Sequence, residues 1–300
     1  MKSTRVNETM PPIPQPADKL LAELEAGLKA IAPDWIDGIY VTGSIALDDF
    51  HPHKSDIDFV VLCKEFPTNE MIAQIDKLHR TIQQQHGKPL FNGAYLTAEN
   101  LQASRLPTGE VLNLLEGNLK RGPFEMGPIA LYELKTTART VLGLPTNELA
   151  IDMPLQQVKD FMHENINSYW QRWIDKHASC TNRRALLILI PLLTEWAVLG
   201  VARQFYTLQT GEIASKTKAG AFCLDVVPPR YQDIIQQAIH IRNSSPNSVY
   251  PVLKRTYYVS PSLTRAALTI DCVNYIIELF NNVYADQQKQ RTGEGLSDKR

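Results

Sequence analysis

Apolar residues recur along the first third of the chain with two spacings, one typical of helices and one of strands. Helical spacing over residues 19–31 and 69–86 predicts two amphipathic helices. Branched and aromatic residues predict strands over residues 36–42, 56–62 and 90–97. The nearly unbroken apolar run of the second strand is typical of a strand that is covered on both faces. The alternation of strands and helices indicates a small mixed α/β domain.

The second half of the chain has a different hydrophobic pattern, in which several long segments with helical spacing of apolar residues follow one another. They predict helices over residues 155–177, 183–208 with a bend at Pro191, 230–242 and 261–284. Because such helices bury their apolar faces against each other, we expect a helical bundle. Between the two halves, residues 101–153 are broken into short pieces by glycine and proline.

These patterns predict an α+β protein, with an N-terminal domain of mixed sheet and flanking helices and a C-terminal helical bundle domain. A length of 300 residues also favours two domains, and we place their boundary between residues 145 and 154. The expected division is a flexible arm at 1–18, a sheet domain at 19–150, a helical domain at 151–285 and a polar tail at 286–300.

Charge and cysteine usage narrow the classes of function. With 31 basic and 32 acidic residues, the chain lacks the positive excess that neutralises a long nucleic acid, although a local basic cleft is compatible with this balance. Cys63, Cys180, Cys223 and Cys272 show no metal or disulfide spacing, so we expect reduced core residues of a cytoplasmic protein. No apolar run predicts a signal peptide or a membrane span, and we expect a monomer.

The chemically most specific feature is the pair Gly43 and Ser44, followed by Ser55 and the carboxylates Asp56 and Asp58. Residues two apart on a strand face the same side, so both carboxylates should project into one site. Two neighbouring carboxylates repel each other unless a divalent cation lies between them, and hard oxygen ligands suit magnesium. The donors of Gly43 and Ser44 suit phosphate oxygens. The alternative is a solvated turn or a helix cap, where Asp-x-Asp is also common.

The spacing of these residues resembles the signature of the nucleotidyltransferase superfamily that includes DNA polymerase beta. A strand that ends in Gly-Ser precedes Ala46, and Ser55 precedes the two aspartates at the start of the next strand. The resemblance implies that Gly43, Ser44 and Ser55 line a nucleotide site.

A second resemblance covers the helical half. Residues 195–218, with the stretch that continues through Tyr231, are similar to the helix and turn of the aminoglycoside (streptomycin/spectinomycin) 3''-adenylyltransferase family. This resemblance implies that ATP and a small acceptor bind in the cleft between the two domains, with Arg203 and Lys216 on the side of the triphosphate. Without it, Arg203 reads equally well as a surface residue and Lys216 as a lysine that flanks a helix.

The implied reaction is attack of an acceptor hydroxyl on the α-phosphorus of ATP, with release of pyrophosphate and with two magnesium ions held by Asp56 and Asp58. The third predicted strand departs from the family, because Asn92 lies nearest to the position of the family's glutamate and an amide does not accept a proton at neutral pH. Glu99, Glu110 and Glu116 are alternative bases that the sequence does not rank.

The identity of the acceptor molecule does not follow from the sequence. The aromatic and acidic residues that grip streptomycin in the family have no clear counterpart here, so an aminoglycoside acceptor, and with it antibiotic resistance, follows less directly than nucleotide binding. One alternative is a catalytically weak nucleotide-binding regulator or partner protein of the same fold, which Asn92 suggests. Another is a protein or tRNA nucleotidyltransferase, which the neutral charge disfavours.

Overall fold

The computed structural model describes residues 11–101, 109–178, 191–244 and 259–297, with side chains from residue 265 to 293 in the last range. A six-stranded mixed sheet with flanking helices forms the N-terminal part of the chain, and helices form the C-terminal part. The predicted α+β class is therefore confirmed.

The sheet consists of β1 (Ile36–Val41), β2 (Ile57–Cys63), β3 (Phe91–Thr97), β4 (Val111–Leu115), β5 (Asn118–Gly122) and β6 (Arg139–Leu142). Its strand order is β5-β4-β3-β2-β1-β6, in which β2 and β3 run parallel and the other neighbours run antiparallel. The parallel register places Asp58 of β2 opposite Asn92 of β3.

The helices of the N-terminal part are α1 (Gln15–Ile31), α2 (Gly43–Ala46), α3 (Asn69–His86), α4 (Ala98–Leu101) and α5 (Gly127–Thr136). The C-terminal part has α6 (Leu155–Asn165), a π-helical turn (Ile166–Trp170), α7 (Gln171–Ala178), α8 (Pro191–Thr210), α9 (Lys216–Val226), α10 (Pro229–Asn243) and α11 (Val259–Ser297). A 3-10 turn at Thr146–Glu148 precedes α6.

Alternating side chains of the central strands point to two different cores, as the period of a strand requires. Ile39 and Phe59 face the core formed with α1 and α3. Tyr40 and Val60 face the opposite core, which continues into the buried residues of α5, α6, α8 and α11. Helix α8 is buried around most of its circumference, because it lies at the centre of the helical part. This arrangement brings α8 and its neighbours over one face of the sheet.

The strongly periodic elements match their predictions. The strands expected at residues 36–42, 56–62 and 90–97 are confirmed as β1, β2 and β3, and the helix expected at 69–86 is confirmed as α3. The first helix begins at Gln15 rather than at residue 19. The short elements between residues 111 and 142, and α9, were not predicted.

Two expectations concern the ends of the helical half. One needs correction, and the other falls on residues that the structure does not describe. The polar tail expected after residue 285 is helical as far as Ser297, and Gln287 donates a hydrogen bond to the carbonyl of Leu208 at 3.1 Å. Residues 183–190, where the next helix was expected to start, lie outside the described residues, and α8 begins at Pro191. The domain boundaries remain a prediction.

The cysteines and the membrane expectation can be compared with the described part of the chain. Cys63, Cys223 and Cys272 are buried free thiols, and burial raises the pKa of each of them. Cys180 lies outside the described residues. Among the helices described, none is both long and apolar enough to span a bilayer.

Candidate active site

The turn that follows β1 brings the backbone directly against one of the two aspartates. Thr42 donates its N–H to the carbonyl of Asp58 at 2.9 Å, and α2 begins at the next residue. Gly43 has φ +58°, and a Cβ built on it would lie 2.0 Å from Oδ2 of Asp58. Only glycine fits this close approach without displacing the carboxylate. The Oγ of Ser44 is buried and has no hydrogen-bond partner in the described structure.

Asp56 directly precedes β2, Asp58 lies in it, and both line one cavity with this turn. Burial, followed by the negative charges of Glu133 and Asp56, raises the pKa of Asp58 to about 7. Burial also raises the pKa of Asp56, although the charge of Lys88 opposes that rise. Both acids are therefore costly to ionise unless a cation binds beside them.

Asn92 holds Asp56 in place. Its Nδ2 donates to Oδ2 of Asp56 at 2.9 Å, and its Oδ1 accepts the backbone N–H of Glu116 at 2.7 Å. Asn92 therefore lies beside the carboxylate pair. Glu99, Glu110 and Glu116 are exposed, and none of the three lines the cavity. Glu110 is paired with Arg121 instead.

Glu133 is the acidic residue that the sequence analysis missed. It lies on α5, is buried and lines the same cavity. It accepts a hydrogen bond from Nη2 of Arg203 at 2.9 Å and another from the backbone N–H of Gly43. Burial raises the pKa of Glu133, and Arg203 opposes that rise. The available signal was a carboxylate in the middle of a short apolar helix, where an unpaired charge is costly.

The helical half supplies the opposite wall with cations. Lys216 is bound to Glu195 at 3.0 Å, and burial lowers the pKa of Lys216. The guanidinium of Arg242 is buried and donates to the carbonyl of Asp49 and to Oγ of Ser55, both at 3.1 Å. Ser55, expected at the nucleotide, is thus engaged in holding Arg242.

Asp49 joins the same network from the loop before β2. Burial alone would raise the pKa of Asp49, but the hydrogen bonds from Thr217 and the charge of Arg242 outweigh it and lower that pKa. Lys54, from the same loop, donates to the carbonyls of Ile241, Arg242 and Ser244 at the C-terminal end of α10. The loop before β2 is therefore fastened to α9 and α10. Asp49, Lys54, Glu195 and Arg242 were not among the site residues that the sequence predicted.

The cavity between these walls has a volume of about 380 Å³. It contains every residue that the sequence assigned to the site, from the sheet half and from the helical half alike. These residues are Gly43, Ser44, Ser55, Asp56, Asp58, Arg203 and Lys216. They come from segments that are far apart in sequence and meet only in the fold.

The donor set fits a magnesium ion that is shared with a phosphate. Within the described part of the chain, no group of three or more His, Cys, Asp or Glu side chains forms a complete metal cage. Two adjacent carboxylates with raised pKa values, beside the unpartnered Oγ of Ser44, instead suit a cation that takes its remaining ligands from water and phosphate.

Comparisons with known proteins agree with this architecture. Residues 21–88 match the family described as nucleotidyltransferase domain, and residues 180–254 match the family described as aminoglycoside adenylyltransferase, C-terminal domain. Among solved structures, spectinomycin adenyltransferase AAD(9) from Enterococcus faecialis, solved with ATP and spectinomycin, has a TM-score of 0.62 at 16% sequence identity. That match covers 87% of this chain and 98% of the other chain. No curated protein matches the chain.

Proposed function

We propose that this chain, an aminoglycoside adenylyltransferase-like enzyme of the nucleotidyltransferase type, transfers AMP from ATP to a hydroxyl group of a small molecule. One observation carries the proposal. The carboxylates of Asp56 and Asp58 share a single cavity with the Gly43–Ser44 turn and with Arg203 and Lys216 from the opposite wall. Acids that suit magnesium thus face cations that suit a triphosphate.

The cations and the turn would hold the triphosphate. Lys216 is nearly buried, and losing its hydration is offset only in part by Glu195, so an anionic oxygen beside it is favourable. Arg203 presents a guanidinium that Glu133 engages through Nη2. The free Oγ of Ser44 adds a donor at the start of α2. Both halves of the molecule therefore contribute to one polyphosphate site.

The carboxylate pair would hold magnesium. When bound, magnesium would lower the pKa of the acceptor hydroxyl and neutralise the charge that develops on the phosphate oxygens. Asp56 and Asp58 would fix the ion, and Asn92 would keep Asp56 oriented through its amide. The acceptor hydroxyl would release its proton to solvent, and its oxygen would form the new bond to the α-phosphorus while the bond to the bridging oxygen breaks and pyrophosphate leaves.

A small apolar extension of the cavity would take the nucleotide base. A space of about 160 Å³ opens on the other side of Arg203 and is bordered by Ile129, Met162 and Gln204. Apolar walls with one amide suit a planar heteroaromatic ring that needs a few directed hydrogen bonds. With the base there, the phosphates would reach back past Arg203 to the aspartates.

The proposal is tested by titrating the protein with ATP in the presence of magnesium and in the presence of EDTA. We expect binding that needs magnesium and that is lost in the Asp56→Asn, Asp58→Asn double variant, because the two amides no longer attract the cation. The Asp76→Asn variant, which changes an exposed aspartate on α3, is the matched control. Binding that is unchanged in the double variant would contradict the proposal.

A catalytically weak nucleotide-binding protein is the second candidate, and the amide at Asn92 favours it. The two candidates differ in pyrophosphate release over a panel of hydroxylated acceptors. The enzyme releases pyrophosphate in step with adenylylated product, whereas the binding protein retains magnesium-dependent ATP binding without turnover on any acceptor.

A further inference from the structure

A second cavity adjoins the first on the side of the loop before β2. It has a volume of about 410 Å³ and shares Lys54, Lys216 and Arg242 with the first. Its outer wall includes Lys88, whose charge is near enough to Asp56 to oppose the rise in the pKa of that carboxyl. The second cavity therefore opens beside the carboxylate pair, on the side away from Ile129 and Met162.

Positive charge dominates this second cavity. Four cationic side chains, Lys54, Lys88, Lys216 and Arg242, line it together with a single carboxylate, Glu195. That carboxylate is already bound to Lys216 at 3.0 Å and lies 3.9 Å from Arg242. Among the described residues, no carboxylate lies within ion-pair distance of Lys54 or Lys88. The lining of this cavity therefore carries more cations than carboxylates.

Apart from His53, the remaining wall is apolar. Leu192, Leu193 and Trp196 of α8 line it, and Leu192 is 52% exposed. A large apolar side chain that stays exposed at the rim of a charged cavity offers contact area to the apolar part of a ligand. Trp196 adds an aromatic surface beside it.

The segments next to α8 and α10 cannot supply the missing acids. Residues 179–190 and 245–258 contain no Asp or Glu, and they contain Arg183, Arg184, Lys254 and Arg255. Within the described lining, Glu195 is the one carboxylate available to a cationic ligand, and it is already paired with Lys216.

We infer that the second cavity is the acceptor site and that it takes a hydroxylated acceptor bearing a carboxylate or phosphate next to an apolar or aromatic part, not a polycation. This inference rests on the proposed transfer of AMP. A ligand with several ammonium groups would meet like charges at Lys54 and Lys88, whereas an anionic group would meet two cations that have no carboxylate within ion-pair distance among the described residues. The apolar part of the acceptor would lie against Leu193 and Trp196.

The test measures binding to the full chain loaded with magnesium and α,β-methylene-ATP, so that the charges of the triphosphate are already in place. The probes are 4-hydroxyphenylacetate and tyramine, which share a phenol ring and differ in the charge of the side chain. Calorimetry should give about tenfold tighter binding of the acid or more, and the preference should shrink in 0.5 M salt (about a 4 Å screening length).

Two charge-reversal variants show where the preference arises. Lys88→Glu should abolish or reverse it, whereas Lys64→Glu, the same change just beyond the far end of β2, should preserve it. Equal or tighter binding of tyramine, binding of neither probe, or an unchanged preference in Lys88→Glu would overturn the inference. So would efficient turnover of streptomycin or spectinomycin, which would leave the proposed function standing. Loss of magnesium-dependent ATP binding would instead count against the proposed function.

Discussion

Gly43 brings the backbone against the carboxylate of Asp58 in a conformation that favours glycine. Its φ is +58°, and an added Cβ would lie 2.0 Å from Oδ2 of Asp58. We predict that Gly43→Ala lowers the free energy of unfolding by about 1–2 kcal/mol, because the left-handed backbone is strained for alanine. The same variant should lose magnesium-dependent ATP binding, because Asp58 has to move. Urea unfolding and ATP titration measure the two effects.

The Gly87→Ala variant separates the loss of stability from the loss of ATP binding. Gly87 also has a positive φ, +69°, but an added Cβ would meet nothing within 4 Å. Gly87→Ala should therefore lose at least as much stability, because its backbone (φ +69°, ψ −117°) lies in a region that L-residues rarely adopt, and should keep ATP binding unchanged. Equal ATP affinity in the two alanine variants would mean that the close approach of Gly43 to Asp58 is unimportant for the site.

Asn92 gives the second prediction at this scale. If it occupies the position of the missing base, Asn92→Glu should raise turnover on an accepted substrate by about tenfold or more, because a positioned base contributes roughly 10²–10⁴. Without magnesium the same variant should be less stable, since a carboxylate would replace the amide that donates to Asp56. Asn92→Gln, with the same length and no charge, is the control. A glutamate variant no faster than the glutamine variant contradicts this placement.

The sequence located the residues of the site that belong to a local motif. Asp56 and Asp58 are two apart on a strand, so their proximity follows from local geometry. Glu133 and Arg242 carry no such motif, since each reaches the cavity only through the packing of a distant helix. Their burial is also invisible in the sequence, because the partners that make it tolerable, Arg203 and Asp49, lie far away along the chain.

At the scale of elements, helix α3 is joined to β3 by a buried polar contact. Nε2 of His79 lies 2.6 Å from Oη of Tyr95, and the ring of His79 packs against Phe59 and Phe91. Burial lowers the pKa of His79 to about 3. Histidine in the unfolded chain has a pKa of about 6.5, so the unfolded state binds a proton first on acidification. The stabilising effect of a neutral His79 is therefore present above pH 6.5 and is lost as the pH falls.

The lowered pKa of His79 makes the stability of the protein depend on pH in a measurable way. Between pH 7 and pH 5, the wild-type chain should lose about 2 kcal/mol more stability than the His79→Phe variant, which keeps a ring in the core and does not titrate. Urea unfolding at the two pH values measures the difference. His240→Gln, a change at an exposed histidine, should retain the full wild-type dependence. The same slope in His79→Phe and in the wild type would show that His79 is not the source.

The periodic elements were predictable because each of them is long enough to repeat its spacing several times. Strands β4 and β5 are only five residues each, and they are joined at Glu116 and Gly117, both with positive φ. A two-residue turn of this kind suits a hairpin. Its signal in the sequence is a single Gly after a Glu, which does not distinguish it from a loop. Strand β6 pairs with β1, almost a hundred residues earlier, and no local pattern reports that pairing.

At the scale of the whole molecule, the two halves share one core. Tyr40 and Val60 of the sheet belong to the same cluster of buried residues as Val198 and Phe280 of the helical half. The ion pairs Glu133–Arg203 and Arg242–Asp49 also cross between the halves. Separation would expose the shared apolar surface to water and would break both ion pairs, so it is unfavourable.

We therefore predict that the full chain unfolds in one cooperative transition, even though the hydrophobic patterns of its two halves differ. The Trp35→Phe variant tests this, because Trp35 lies in the core of the sheet half and its removal leaves Trp170, Trp173 and Trp196 as reporters of the helical half. Urea transitions followed by tryptophan fluorescence in this variant and by far-ultraviolet circular dichroism should coincide. A fluorescence midpoint that differs from the dichroism midpoint would mean that the helical half unfolds by itself, and that the shared core contributes less than the packing within each half.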